Sequence, residues 1–327
     1  MSGDAWRIIA RQPGGPEVLE RESFAMPAPG PGEVRVRNTA IGVNYIDTYH
    51  RSGLYPAPAP ITIGSEAAGI IEAVGEGVED VSLGQRVAYL PPKAGTYATH
   101  SLTPTERLYP LPSAIDDATA AASLLKGLTT WMLVERCARV EAGQWVLVHA
   151  AAGGVGSIAV QWLKAVGARV IAHAGTEAKA AKATALGADH ALACPFNALA
   201  EAVRERTGGR GVDTVFDGVG AASWAASLAS LARRGLLVSY GNASGPVPPV
   251  APLVLSRAGS LFLTRPTLYD YLDTADDRTT GGNRLFTLLG AGMVKVEIGQ
   301  RFALADAIEA HRALESRQTT GSTVLIP

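Results

Sequence analysis

The sequence predicts an α/β protein of two parts, a β-rich segment followed by a doubly wound parallel sheet. Three observations predict it. Short apolar runs punctuated by Gly and Pro fill roughly the first third of the chain, an Ala- and Leu-rich stretch follows, and apolar strand patterns then alternate with helical ones.

In order, WRIIA, GEVRVRNTAIGVN, AAGIIEAVGEGV and GQRVAYL read as short strands, with PAPGPGE (27–33) and YPAPAP (55–60) as loops. The stretch 116–138, DDATAAASLLKGLTTWMLVERCA, has few β-branched residues and an Asp to cap it. It reads as a helix interrupted near Gly127. Strands WVLVHAA, RVIAHA, HALAC, DTVFDGV and LLVSYG then alternate with helices GGVGSIAVQWLKAVG, TEAKAAKATALG, NALAEAVRERTG and AASWAASLASLARRG. Strands joined by helices of that length pair in parallel through right-handed crossovers. SLFLT (260–264) extends the sheet. The tail reads as a helix around GNRLFTLLGAG, a strand around VKVEI, a helix over ADAIEAHRALES and a last strand STVLIP.

Composition narrows the function. The 327 residues carry a formal net charge of −1 without a dense basic block, which argues against nucleic acid or an anionic membrane as partner. Cys137 and Cys194 lie far apart and match neither a disulfide framework nor a zinc knuckle. The start lacks a basic segment followed by an apolar one, and no long apolar run occurs, so the chain is expected to be soluble and cytoplasmic.

HAAAGGVGSIAVQW (149–162) places Gly153, Gly154 and Gly156, with Val155 between, at a strand-to-helix turn. Backbone without Cβ can approach a ligand closely there, and the helix N-terminus favours negative charge, so a dinucleotide pyrophosphate is expected on it. The ribose is read at the end of the next strand, in HAGTEAKAAK. Residues 173–176 hold no carboxylate, Gly175 and Thr176 form the turn, and Lys179 is in reach of a 2′-phosphate. NADPH is the expected cofactor, against the contrary charge of Glu177.

GVNYIDTYHRSGLYP, GSEAAGIIEAVGEGV, LLKGLTTW, HAAAGGVGSIAVQW, SYGNASG, TRPTL and ESRQTTGSTVLIP together resemble the NADPH-dependent quinone oxidoreductases related to zeta-crystallin, in the medium-chain dehydrogenase/reductase superfamily. The resemblance spans essentially the whole chain. It implies a GroES-like catalytic domain at 1–124, a Rossmann domain at 125–265 and a segment 266–327 that returns to the first domain. It also implies an active site between the domains and a homodimer, for which SLFLT would supply an edge. Where zinc alcohol dehydrogenases of the superfamily have a ligand Cys this chain has Asn44, and where they have a His it has Ser65. Glu66 remains and cannot hold zinc alone, so no metal is expected. A quinone accepts hydride without the Lewis acid that alcohol oxidation requires; orientation and a hydrogen-bond donor suffice.

Asn44 is the candidate to orient the nicotinamide or bind the substrate oxygen, and Tyr49 and Tyr55 are candidate donors lining a slot for a flat substrate. Asp47 is expected to fix local structure, His50 and Arg51 to point outwards, and His149 and His311 to be structural. Lys126 and Thr129 are polar positions in an apolar helical run, which the resemblance places against the nicotinamide end of the cofactor. Tyr240, Gly241 and Asn242, then Phe262, Thr264 and Arg265, follow strands at the sheet's carboxyl edge, where ligands of open α/β sheets bind. Arg317 is a further phosphate candidate from the tail. Cys194 stands where the family often has Tyr or His at the adenosine phosphate, and Gly218 where Ser is frequent; both remain cofactor-binding candidates with fewer donors than usual. Two other readings stay open, an enone (C=C) reductase and a non-catalytic, crystallin-like NADPH-binding protein.

Overall fold

Strands buried on both faces are written as continuous apolar runs, and the second half of the chain follows that rule. In the computed structural model, which describes residues 5–327, the chain divides into two compact units. Residues up to Leu125 together with Val296–Pro327 form one, and Lys126–Lys295 the other. Residues 266–295, expected with the returning tail, therefore group with the second unit; residues 1–4 of the expected first domain lie outside the described residues.

The first unit contains β1 (Trp6–Ala10), β2 (Leu19–Ser23), β3 (Glu33–Val43), α1 (Tyr45–Ser52), β4 (Ile61–Thr62), β5 (Ala67–Val74), β6 (Arg86–Tyr89), β7 (His100–Pro104) and β8 (Leu108–Pro110). α2 (Asp117–Trp131) leads out of it. β2-β1-β4 form a small sheet, and a larger one runs β15-β16-β3-β5-β6-β8 with β7 also on β3, using the returning strands β15 (Ile298–Ala303) and β16 (Ser322–Ile326). Its core joins both ends of the sequence, with Ile8, Val36, Ile41 and Ile63 packed with Leu304, Ala310 and Leu325.

The second unit holds β9 (Trp145–Val148), α3 (Gly154–Ala165), β10 (Arg169–His173), α4 (Glu177–Ala185), β11 (His190–Leu192), α5 (Phe196–Arg206), β12 (Val212–Asp217), α6 (Trp224–Ser230), β13 (Leu231–Ser239), α7 (Pro252–Arg257), β14 (Phe262–Thr264) and α8 (Ala275–Gly290). Every pairing is parallel, in the order β11-β10-β9-β12-β13-β14. Counted from β9 that is 3-2-1-4-5-6, the dinucleotide-binding order, whose direction of winding reverses between β9 and β12.

Three local expectations are corrected. α2 runs straight through Gly127, whose missing side chain makes room for Leu285: a Cβ there would lie 2.4 Å from Leu285 Cδ1. The break comes later, as a π-helical turn over Met132–Cys137. The helix expected through Gly235 stops at Ser230, and LARRG begins a strand that bends where Arg234 adopts a left-handed backbone. The strand expected around VKVEI begins only at Ile298.

Candidate functional site

In the first unit, Asn44 is the N-cap of α1, the position where a short polar side chain is favoured because the first helical N–H groups lack carbonyl partners. Its backbone N–H donates to Asp47 Oδ2 (2.8 Å), and its side-chain Nδ2 donates to Glu66 Oε1 (2.8 Å), leaving Nδ2 one further N–H. Glu66 is fully buried, and its other oxygen accepts from Leu125 N (2.7 Å), so one carboxylate ties Asn44 to α2 a single residue before Lys126. Gly42 permits this approach, since a Cβ there would fall 2.3 Å from Glu66 Oε1 and on the carbonyl of Ala121.

Asp47 holds the cap as expected, accepting from Ser65 Oγ (2.7 Å) and Tyr97 Oη (3.3 Å) as well as from Asn44. Tyr97 Oη also meets His311 Nε2 (3.1 Å), and Arg51 Nη1 meets His311 Nδ1 (3.0 Å). Arg51 can only donate, so His311 accepts at Nδ1, donates from Nε2 to Tyr97, and Tyr97 donates to Asp47. Burial, then the Arg51 charge, push His311 down to about 3, which keeps it neutral and structural. The outward placement expected for Arg51 is wrong: it is 2 % exposed and paired bidentately with Glu315, because α9 (Ala307–Glu315) packs over it. His50 is half-buried too, and burial lowers its pKa. Tyr49 is buried, with its ring edge-on to half-buried Tyr55 at 5.3 Å.

On α2, Lys126 is buried and Thr129, one turn on, is half-buried; residues three apart share a helix face.

In the second unit the glycine loop is built for close approach. Gly153 caps α3 in an extended conformation, and a Cβ on Gly156 would lie 2.3 Å from the Ala150 carbonyl, so the turn closes only without one. The first-turn N–H groups of α3, including those of Gly154 and Val155, have no intrahelical acceptor and carry the positive end of the helix dipole. Gly175 is exposed with open space around it; Thr176 caps α4 by accepting from Lys179 N (3.3 Å). Burial, then Lys182, lower the pKa of the Lys179 ammonium. Cys194 follows β11 as a half-buried free thiol. Gly218 lies under Tyr240, whose Cζ would be 2.8 Å from a Cβ at 218. Gly241 crosses the Gly218 carbonyl as closely, and Asn242 with its amide turned accepts from Arg265 Nη2 (3.2 Å). Arg265 also donates to Ser239 O (2.8 Å).

Phe262 and Thr264 do not share one environment. Thr264 is half-buried, whereas Phe262 is 61 % exposed on the edge strand β14. Arg317 is exposed in the first unit, with a left-handed backbone. The structure thus gathers Asn44, Tyr49 and Tyr55 around α1, and Gly153–Val155, Gly175–Lys179, Cys194, Gly218 and Tyr240–Asn242 along the sheet's carboxyl edge. Sequence reasoning missed Glu66 as the partner of Asn44, 22 positions along the chain, and Tyr97 altogether.

Residues 30–113 match the model of the alcohol dehydrogenase GroES-like domain, and 154–275 that of a zinc-binding dehydrogenase. A quinone oxidoreductase of Salmonella typhimurium is 47% identical over 327 residues, covering 99% of this chain and 100% of that one. The chain belongs to the quinone oxidoreductase family. The solved structure of the Escherichia coli quinone oxidoreductase complexed with NADPH superposes with a TM-score of 0.95 at 44% identity, covering 98% of this chain and 100% of that one. A 2-haloacrylate reductase of a Burkholderia species is 42% identical, with 98% of each chain covered. The quinone oxidoreductase family thus accounts for both units, one GroES-like and one Rossmann-type, within the medium-chain dehydrogenase/reductase superfamily.

The zinc implied by the second description does not fit this family member. Among the described residues no group of three or more His, Cys, Asp and Glu side chains is placed to hold a metal. Asn44, Ser65 and Glu66 instead spend their polar atoms on one another, on Asp47 and on α2. A nicotinamide dinucleotide does fit the quinone oxidoreductase fold here: glycines at 153, 154 and 156 leave the backbone of the turn open to close approach, and orphan N–H groups stand at its helix. Among the described residues no helix is long and apolar enough to cross a membrane.

Proposed function

We propose that this chain is a zinc-independent NADPH:quinone oxidoreductase. The observation that carries the reading is the dinucleotide-binding strand order with the glycine turn at α3, together with full-length relatives whose structures hold NADPH.

NADPH, when bound, supplies hydride from the nicotinamide. The chain supplies the rest. Gly153, Gly154 and Val155 present backbone N–H groups to the pyrophosphate, and Thr176 and Lys179 with Cys194 and Gly218 border the adenosine ribose and its 2′-phosphate. Tyr240, Gly241, Asn242 and Thr264 contribute the far part of the carboxyl edge, with exposed Phe262 its weakest member, and exposed Arg317 is the phosphate candidate from the tail. Lys126 and Thr129 serve the nicotinamide end, Asn44 offers its remaining amide N–H to nicotinamide or quinone oxygen, and Tyr49 with Tyr55 supply aromatic surface for a flat ring. The quinone oxygen that gains charge is weakly basic, so a positioned amide donor suffices and water completes protonation.

The test is NADPH oxidation by purified protein in EDTA with a quinone, an enone and an aldehyde as parallel acceptors and NADH as cofactor control. Quinone-dependent turnover is expected; NADPH binding without any turnover would leave only the non-catalytic reading. The likeness to a 2-haloacrylate reductase favours enone reduction as the second reading, and turnover of the enone alone would select it.

A cytoplasmic homodimer is part of the same proposal. Exposed Phe262 on edge strand β14, with exposed Leu253 and Val254 on α7, supports a self-association face in the second unit. Light scattering that gives a monomer would refute it.

A further inference from the structure

Four groups at the carboxyl ends of four adjacent strands are joined into one buried chain. Asp217 ends β12, His149 follows β9, His173 ends β10 and Cys194 follows β11, so the chain crosses the sheet at the point where its winding reverses. Asp217 Oδ2 meets Ser227 Oγ (2.6 Å), Ser227 Oγ meets His149 Nε2 (2.9 Å), His149 Nδ1 meets His173 Nδ1 (3.3 Å), and His173 Nε2 meets the Cys194 carbonyl (2.9 Å). Asp217, His149 and Ser227 are at most 1 % exposed, and His173 6 %.

Counting protons across this chain gives an imbalance. Four contacts need four protons, whereas Ser227 and two neutral imidazoles supply one each and an ionised Asp217 none. If Ser227 donates to Asp217, His149 donates from Nε2 and must accept at Nδ1 from His173. The Nε2 of His173 then faces the Cys194 carbonyl, lone pair to lone pair. One added proton completes every contact. It belongs on His173, because Asp217 also accepts from Val219 N (2.8 Å), Gly220 N (3.1 Å) and Ser223 Oγ (2.8 Å), and a proton on its carboxyl group would face those donors.

We propose that His173 takes up this proton from water when a phosphate dianion settles at the carboxyl ends of β10 and β11, so that binding of NADPH, but not NADH, is coupled to completion of the Asp217–Ser227–His149–His173 chain. The inference rests on the proposed NADPH binding and names His173 as a residue that sets specificity through charge rather than contact. The groups bearing on His173 are His149 beyond β9, Asp217 on β12, Cys194 beyond β11, the hydroxyls of Ser223 and Ser227 from α6, and the Phe196 ring of α5 at 5.0 Å. Asp217 is the only charge among them. Before binding, burial holds both imidazoles neutral, His149 down to about 4 and His173 below its usual range, with Asp217 opposing the shift in each. An arriving dianion acts through a low-dielectric interior, where its pull on a proton is strong.

The experiment is calorimetric titration of the purified full chain with NADPH and with NADH between pH 7 and 9, above the titration of the 2′-phosphate itself, in two buffers of different ionisation enthalpy. For the wild type, NADPH binding is expected to take up a fraction of a proton and to weaken by up to about tenfold per pH unit, with no such slope for NADH. In His173→Gln the NADPH slope should vanish, leaving NADPH affinity as independent of pH as NADH affinity. Imidazole ¹⁵N shifts of the wild type give a second readout that needs no variant: His173 doubly protonated with NADPH and singly protonated with NADH. A flat wild-type profile, a singly protonated His173 under NADPH, or a slope that His173→Gln retains, which would assign it to Lys179, overturns the proposal and leaves NADPH binding standing. Failure of the wild type to bind NADPH would overturn both.

Discussion

Replacing Glu66 by Gln tests how Asn44 is held. Glu66 accepts two hydrogen bonds from opposite sides, from Asn44 Nδ2 at 2.8 Å and Leu125 N at 2.7 Å, and is fully buried. A glutamine has one oxygen to offer. Leu125 N cannot move without disturbing α2, so the new amide oxygen goes there and its NH2 faces the Asn44 NH2. Asn44 must then turn its amide over, or two donors remain face to face. A hydrogen bond to a charged group contributes about 1.5–3 kcal/mol, and part of one survives in a turned Asn44, so a loss of about 2 kcal/mol is expected. That corresponds to a fall of about 4–8 °C in the melting temperature of a unit of some 150–250 residues. Because the donor proposed for the quinone is reversed as well, kcat/KM for NADPH-dependent quinone reduction should fall by about ten- to a hundredfold. Repeating Glu66→Gln in an Asn44→Ala background should cost about 1 kcal/mol less than in the wild type. Refutation is simple: a melting temperature within about 1 °C of wild type, or equal costs in both backgrounds, would show that Glu66 does not hold Asn44.

Lys179→Ala should weaken NADPH by about ten- to a hundredfold, the worth of a charged contact, and NADH hardly at all; equal losses in fluorescence titrations would remove that lysine from the 2′-phosphate. Gly218→Ser should weaken NADPH several-fold because the new Cβ displaces the Tyr240 ring, and tighter binding would contradict the packing. His311, held near 3 in the folded chain against 6.5 unfolded, binds a proton more readily when unfolded, so its contribution to stability is complete above about pH 6.5 and shrinks as pH falls toward 3, by up to about 1.4 kcal/mol per unit. His311→Gln keeps an acceptor for Arg51 and a donor for Tyr97 but does not titrate, so urea unfolding across that range should give a shallower profile; an unchanged one would mean His311 is not the group responsible.

The second unit was legible in the sequence because its strands are buried on both faces, and such strands must be unbroken apolar runs between glycine-marked turns. Legibility failed where a residue's partner is distant along the chain. Gly127 reads as a helix breaker until Leu285 is seen to fill its place, and Arg51 reads as a surface cation until Glu315 and His311 close over it. LARRG failed differently: Ala, Leu and Arg favour helix, and pairing of Leu231 with Val212 overrides that preference. Around α1 the sequence pointed to Asn44, but the carboxylates that orient it lie 3 and 22 positions away, and no local rule connects the farther one.

The place of β16 has a consequence for how the protein is made. Ser322–Ile326 pairs with Ile298–Ala303 on one side and with Ile41–Val43 of β3 on the other. During synthesis β3 therefore carries an open edge until Ser322–Ile326 emerge. The Rossmann unit, whose strands are contiguous in sequence, can fold during that interval, while the GroES-like unit waits as an exposed sheet edge of the kind that invites pairing with other chains. Stalling of translation before Ser322–Ile326 should hence leave that edge open with the Rossmann unit already complete.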